Sequence, residues 1–115
     1  YMHIHVYVRA HARGKRYMKG ELELTEKQIE NYLVRAVKSK GGMAMKLVSS
    51  GMSGVPDRLI LLPGGKMCFA ETKRPGGKPR KLQCAVHKLL NRLGFRVFII
   101  DSKEGAENML RLVGE

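Results

Sequence analysis

The chain has 115 residues and a mass of 12.9 kDa, which is the size of one domain, and its 43% apolar residues are enough for a small core. Its longest apolar runs are four residues, which argues against a transmembrane helix and a signal-peptide core. With 22 Lys and Arg against 10 Asp and Glu, the formal charge is +12, so we expect a polyanionic partner. Nucleic acid is the leading candidate for this partner. An anionic membrane surface is disfavoured because the basic residues are not gathered on one amphipathic helix.

The N-terminal segment alternates apolar and polar residues over residues 2–12, which predicts a β-strand. Met18 is a candidate natural start, because a clearer domain pattern begins just after it. We therefore divide the chain into residues 1–17, a strand or extension, and residues 18–115, the main domain. The extension is either vector-derived or read-through sequence, or an arm that pairs with another subunit of a dimer.

The main domain begins with a predicted helix. Thr25 and Gln28 form a capping box, apolar residues follow at helical spacing, and Gly41-Gly42 ends the helix. Three strands are predicted next. Residues 43–47 alternate, and residues 58–62 and 67–73 form a hairpin around a tight turn.

The second half of the domain contains the strongest helix signal in the chain, because six apolar residues from Leu82 to Leu93 repeat at helical spacing before Gly94. We expect His87 at a surface position of this helix. Residues 95–100 predict a buried strand, and Ser102 caps a last helix. The predicted order after the N-terminal strand is α-β-β-β-α-β-α.

Acidic residues are scarce in the middle of the chain, where residues 31–100 contain 14 Lys and Arg but only two acids, Asp57 and Glu71. Asp57 starts the first hairpin strand and Glu71 lies near the end of the second, so antiparallel pairing predicts that they are neighbours. Two close carboxylates repel unless a cation, either a Lys or a metal, lies between them. Oxygen ligands at an edge open to solvent suit Mg²⁺ or Mn²⁺.

Lys73 lies two residues after Glu71, on the same strand face, and its ammonium group can reach the same site. A metal ion with an ammonium group beside it is typical of phosphodiester hydrolysis. The alternative is a structural ion pair among Asp57, Glu71 and Lys73.

Three motifs in order, Gly54-Val55-Pro56-Asp57, Glu71-Thr72-Lys73 and Gln83 in the next helix, resemble the PD-(D/E)XK nuclease core. Within it, the chain is most similar to the VRR-NUC family of virus-type replication and repair nucleases. The resemblance implies an α/β fold of mixed α+β type. This is a restriction-endonuclease-like α-β-β-β-α-β core with a small central mixed sheet flanked by helices. The supporting stretch runs from Glu26 to about Asp101 and includes residues 26–33, Gly41-Gly42, Lys46 and Gly94-Phe95.

The resemblance also implies roles for the matching residues. Asp57 and Glu71 ligate Mg²⁺ or Mn²⁺, and the backbone carbonyl of Thr72 is a third oxygen ligand. Lys73 positions or activates the attacking water and stabilises charge growing on the phosphate. Gln83 orients the water or Lys73.

An acid on the first helix completes this cluster, often through a water. Glu26 matches the position best, and Glu30, one turn later on the same face, is the alternate. Simpler explanations exist for two of the residues. Glu26 also suits a helix N-terminus through the helix dipole, and Gln83 is also compatible with an ordinary polar helix position.

Basic residues in or beside the loops at the motif end of the hairpin are candidates for gripping a nucleic-acid backbone, with strong salt dependence. A solvated basic surface is the alternative for some of them. Aromatic residues are only 6% and Trp is absent, so a stacking platform for single strands is not indicated. The candidates are Lys46, Arg58, Arg74, Lys78, Arg80 and Lys81.

We therefore expect a Mg²⁺- or Mn²⁺-dependent, structure-specific DNA endonuclease. The resemblance implies a symmetric dimer that resolves four-way (Holliday) junctions, since two paired cuts suit a two-fold dimer. One alternative is a flap, nick or restriction-type phage nuclease. The other is a non-catalytic basic module that binds nucleic acid with an affinity that EDTA does not change. Cys68 and Cys84 fit neither a disulfide framework nor a zinc spacing, which favours a reducing compartment. We expect the cytoplasm of a bacterial host, with a phage origin suggested by the resemblance.

Overall fold

The structure is a computed structural model, and it describes Val8–Arg9 and residues 23–115. Within these residues the elements follow the predicted order, so the predicted fold class is confirmed. No helix in the described part of the chain is long and apolar enough to cross a membrane. The elements are β1 (Val8–Arg9), α1 (Glu26–Ser39), β2 (Met43–Lys46), β3 (Arg58–Leu62), β4 (Lys66–Thr72), α2 (Lys81–Arg92), β5 (Val97–Ile100) and α3 (Lys103–Gly114).

The strands form one mixed sheet in the order β1-β5-β4-β3-β2. The β2–β3 and β3–β4 pairs are antiparallel, while β5 is parallel to both β4 and β1. The β3–β4 hairpin closes through Gly64 and Gly65, whose φ angles of 84° and 74° are unfavourable for other residues. This turn sets the register that aligns Arg58 with Ala70, and so brings the start of β3 beside the end of β4.

The predicted helix caps are confirmed. The Thr25 hydroxyl accepts a hydrogen bond from the Gln28 amide, and the Gln28 side chain accepts one from the Thr25 amide. The Ser102 hydroxyl accepts from the Gly105 amide at the start of α3. Each cap satisfies amides that the first helical turn leaves without partners.

The helices lie on opposite faces of the sheet. Helices α1 and α3 bury Leu33 and Met109 against Ile60, Ala70 and other residues on one face, which form the main hydrophobic core. Side chains alternate along a strand, so Glu71 and its odd-numbered neighbours on β4 face the other side, where α2 lies.

Helix α2 forms as predicted, but its apolar stripe is not its buried face. Gln83, Val86 and His87 are buried, whereas Leu89 and Leu93 are 39% and 65% exposed. The helix has turned its polar residues towards Glu71, which leaves much of its leucine stripe at the surface.

Part of the N-terminal prediction is seen, because Val8–Arg9 forms a strand paired with β5. The rest of the predicted strand over residues 2–12, the boundary between residues 17 and 18, and the role of the extension lie outside the described residues.

Candidate active site

The β3–β4 hairpin brings Asp57 and Glu71 together. Asp57 immediately precedes β3, and its Oδ2 accepts hydrogen bonds from the backbone amide and the hydroxyl of Thr72, both at 3.1 Å. Glu71 precedes Thr72 on β4. The Asp57 backbone is held from the other side, because its carbonyl accepts a hydrogen bond from the Leu47 amide at 2.8 Å. The aspartate is therefore fixed between the end of β4 and the residue that follows β2.

Glu71 is a buried carboxylate, with 1% of its surface exposed. Its Oε2 accepts a hydrogen bond from Gln83 Nε2 at 2.8 Å and lies 3.3 Å from Lys73 Nζ. Its Oε1 is fully buried and has no hydrogen-bond partner in the described structure. One oxygen is thus doubly engaged and the other is left without a partner, which is costly for an ionised group.

Burial raises the pKa of Glu71 to about 7, and the nearby charge of Asp57 adds to this effect. The Lys73 ammonium group and the Asp57 backbone amide act in the opposite direction and lower that pKa, but by less. The protein's own groups therefore leave Glu71 only partly ionised near neutral pH. The cluster lacks enough positive charge to balance its two carboxylates.

This charge deficit fits a divalent cation. Mg²⁺ and Mn²⁺ prefer oxygen ligands, and the cluster offers two adjacent carboxylates with a strand backbone between them. Among the described residues, no group of three or more His, Cys, Asp and Glu side chains could hold a metal ion. With Glu26 included, the predicted ligand set contains three acids, and within the described residues the structure brings Asp57 and Glu71 together but not Glu26; the third candidate oxygen beside them is the Thr72 carbonyl. The assignment of the ligands stays a prediction.

Gln83 is buried at the start of α2, and both ends of its amide are used. Its Oε1 accepts a hydrogen bond from the Arg80 amide at 2.8 Å, while its Nε2 donates to Glu71. The first hydrogen bond caps the helix N-terminus, and the second joins the start of α2 to Glu71. Gln83 is therefore a contact residue of Glu71 and not an ordinary surface glutamine.

The loop from β2 to β3 is held against α2 at Gly54. The φ angle of Gly54 is 86°, and a Cβ atom there would lie 2.9 Å from the Leu82 carbonyl oxygen. Only glycine permits both this conformation and this close approach. The predicted motif Gly54-Val55-Pro56-Asp57 therefore presents Asp57 by packing the loop onto the helix that carries Gln83.

The two candidate acids of α1 are not in direct contact with this cluster in the described structure. Glu26 is exposed in the first turn of α1. Glu30 is paired with Arg58, whose Nη2 lies 2.8 Å from Glu30 Oε2, and this contact lowers the pKa of Glu30. Neither is hydrogen-bonded to Asp57, so a role for Glu26 would require a bridging water or ion.

The predicted nucleic-acid contacts fall into two groups. Arg58 is half-buried, and besides Glu30 it donates a hydrogen bond to the Ala44 carbonyl at 3.1 Å, so its guanidinium group is already engaged. The other five side chains are exposed. They lie at the end of β2, in the loop after Lys73 and at the start of α2, and they are Lys46, Arg74, Lys78, Arg80 and Lys81.

The expectation of a surface position for His87 is wrong. Its side chain is fully buried, and its Nε2 lies 4.0 Å from Glu71 Oε1. Burial, together with the charge of Lys73, lowers the pKa of His87 to about 4, so the ring is neutral near pH 7. The signal in the sequence was its position one helical turn after Gln83, which places both residues on one face of the helix.

The shifted pKa values of Glu71 and His87 should make the free energy of unfolding depend on pH. Burial raises the pKa of Glu71 from its ordinary value of 4.5 to about 7, so its contribution to stability is lost progressively as the pH rises from about 4.5 through 7. His87 acts oppositely, because its lowered pKa removes stability as the pH falls from 6.5 towards 4. In the folded state, Glu71 is the one of these two groups that titrates between pH 6.5 and 8.

In EDTA, we expect the unfolding free energy of the wild-type protein to fall between pH 6.5 and pH 8 by about 1 kcal/mol more than that of Glu71→Gln. Urea unfolding at the two pH values measures the difference, and the exposed Glu23→Gln is the matched control. Excess Mg²⁺ or Mn²⁺ should remove the wild-type decrease, since a bound cation favours the ionised carboxylate. Identical pH profiles for the wild type and Glu71→Gln would contradict this description of the site.

Comparisons with known proteins show similarity to nucleases. No family model matches the chain. The chain is 47% identical over 81 residues to "Putative nuclease p44" of Acyrthosiphon pisum secondary endosymbiont phage 1, an alignment covering 70% of this chain and 87% of that protein. It is also similar to a solved structure described as a VRR_NUC domain, with a TM-score of 0.71 and 29% identity, over 76% of this chain and 97% of the other.

Proposed function

Because the chain belongs to the VRR-NUC family of nucleases, we propose that it is a divalent-metal-dependent endonuclease that cuts branched DNA as a symmetric dimer. The observation that carries the metal dependence is the buried carboxylate of Glu71. Among the described residues, one of its oxygens has no hydrogen-bond partner, a second carboxylate lies beside it, and the positive charge around it is too small. A divalent cation is the group that completes such a cluster in a nuclease.

In this proposal, Asp57, Glu71 and the Thr72 carbonyl hold Mg²⁺ or Mn²⁺, with Glu26 as the predicted further ligand. The bound cation would polarise the scissile phosphate. Lys73 Nζ, whose side chain is 17% exposed and 3.3 Å from Glu71 Oε2, orients the attacking water and stabilises negative charge on the phosphate. As the water oxygen bonds to phosphorus, the bond to the leaving oxygen breaks, and the proton that the water loses is balanced by the proton that the leaving oxygen takes up.

The exposed basic residues around the site suit a nucleic-acid backbone. Arg74 and Lys78 lie in the loop directly after Lys73, and Arg80 and Lys81 lie at the first turn of α2. Contacts of this kind position a duplex without reading its sequence. They support a nuclease that selects DNA by shape, which is the property needed for branched substrates.

The proposed dimer is supported by an apolar surface on the α2 side of the sheet. Met43 pairs with Leu61 in the sheet, and both are exposed. The ring of Phe69, on the same face, makes an edge-to-face contact with Phe95 at 6.1 Å between centroids. We call this the α2-side apolar surface and define it as Met43, Met45, Leu61, Leu89, Leu93 and Phe95, which are all at least 36% exposed.

The binding partner that best suits the α2-side apolar surface is a second copy of the chain. The chain carries a formal charge of +12, so two copies repel across most of their surfaces, whereas the α2-side apolar surface carries no charge. A nucleic acid would gain no phosphate contacts there. Exposed apolar patches of several large residues mark protein interfaces.

The test is a panel of four-way, flap, nicked, linear and single-stranded DNA with Mg²⁺, Mn²⁺ or EDTA, alongside light scattering. We expect a dimer that makes paired cuts in the four-way junction and requires a divalent ion. Leu93→Glu should give a monomer with at least about tenfold slower junction cleavage, because burying a carboxylate at the interface opposes association.

Leu112→Glu is the matched control, since Leu112 is 40% exposed on α3, which packs on the other face of the sheet. It should remain dimeric and active. A wild-type protein that is monomeric at all concentrations, or that cuts a flap in preference to the junction, would contradict the junction assignment. Cleavage that persists in EDTA would contradict the metal dependence.

A further inference from the structure

His87 is the buried polar side chain beside the site that the proposed mechanism does not use. It is fully buried on α2, one turn after Gln83, and the helical period puts both residues on the same face. Gln83 Nε2 donates to Glu71 Oε2 at 2.8 Å, and His87 Nε2 lies 4.0 Å from Glu71 Oε1. Two residues of one helix therefore face the two oxygens of one carboxylate.

The two oxygens of Glu71 differ in what they contact. Oε2 contacts Gln83 and Lys73, whereas Oε1 is fully buried and has no hydrogen-bond partner in the part of the chain that the structure describes. An ionised carboxylate left this way loses the hydrogen bonds that water would give it. The imidazole Nε2 of His87 lies 4.0 Å from Oε1, about 1 Å beyond hydrogen-bond distance, so a closer approach of the ring would give this oxygen a donor.

We propose that His87 is a positioning residue whose Nε2–H anchors Glu71 Oε1, so that α2 contacts both oxygens of Glu71 and leaves the remaining lone pairs of the carboxylate for a divalent cation. The inference rests on the proposed metal dependence, but the contact itself does not. Partners of this kind orient a ligand without touching the metal.

Three variants separate anchoring from space filling. The amide nitrogen of Gln reaches the position of a histidine Nε2, that of Asn is closer to Nδ1, and Leu fills space without a donor. We expect the Mn²⁺ affinity, measured by titration calorimetry at pH 7.5, to stay near wild type in His87→Gln. It should fall about tenfold in His87→Asn and His87→Leu. DNA affinity in EDTA should be unchanged in all three.

Retained Mn²⁺ affinity in His87→Leu, or equal losses in His87→Gln and His87→Asn, would overturn the inference, because a packing role predicts those results. If His87→Leu does not fold, the comparison of His87→Gln with His87→Asn still distinguishes anchoring from packing.

Histidine ¹⁵N NMR of the metal-free wild type gives an independent readout. We expect the Nε2–H tautomer for His87, and the Nδ1–H tautomer would overturn the inference. A wild type that binds no Mn²⁺ but shows Nε2–H would refute the metal dependence and leave the contact standing.

Discussion

Replacing Asp57 by Asn should lower the rate of DNA cleavage by at least about 1,000-fold, because losing a metal ligand removes several kcal/mol of transition-state stabilisation. The fold should survive. The Asn side-chain oxygen can still accept the hydrogen bonds that Thr72 donates to Asp57 Oδ2. Single-turnover cleavage of a labelled four-way junction at saturating protein measures the chemical step and is insensitive to changes in affinity.

The same substitution should raise stability, which separates loss of activity from loss of fold. The charge of Asp57 raises the pKa of Glu71, so removing it lets Glu71 ionise at lower cost. In EDTA at pH 8 we expect Asp57→Asn to melt at a higher temperature than the wild type, and to gain less from added Mn²⁺. Glu115→Gln removes one negative charge from the exposed C-terminus and should change neither property. Wild-type cleavage by Asp57→Asn would refute the assigned site.

The element order and the hairpin were predictable because their signals are local. The capping box at Thr25, the tight turn at Gly64-Gly65 and the alternation along β2 each depend on residues close in sequence. The hairpin then fixes which residues are opposite each other, so the proximity of Asp57 and Glu71 follows from turn length and strand period alone.

The orientation of α2 was not predictable in the same way. Its apolar stripe suggests burial of leucines, yet Leu93 is 65% exposed and His87 is buried. Which face a helix buries depends on what the sheet presents to it, and here β4 presents Glu71, whose carboxylate needs polar partners. The pairing of Arg58 with Glu30 was missed for a similar reason, because it joins α1 to β3 across 28 positions of sequence.

Lys73 decides between a catalytic cluster and a structural ion pair, which the sequence alone leaves open. Its Nζ lies 3.3 Å from Glu71 Oε2, and both interpretations explain that contact. They differ in what Lys73→Met should do. If Lys73 acts on the phosphate, the cleavage rate should fall about 100- to 1,000-fold, the range for losing one preorganised donor. If it only balances Glu71, added Mn²⁺ should restore the rate.

We expect the first outcome, together with a shift of the pH–rate profile. The Lys73 charge lowers the pKa of Glu71, so Lys73→Met raises that pKa further and moves the acidic limb of the profile to higher pH. Lys73→Arg keeps the positive charge in a different shape. It should restore the acidic limb but not the rate, since the larger planar guanidinium does not place its donors where the compact ammonium group of Lys73 does. Lys88→Met, at an exposed position of α2, should change neither. Full rescue of Lys73→Met by Mn²⁺ would establish the ion pair and remove Lys73 from the chemistry.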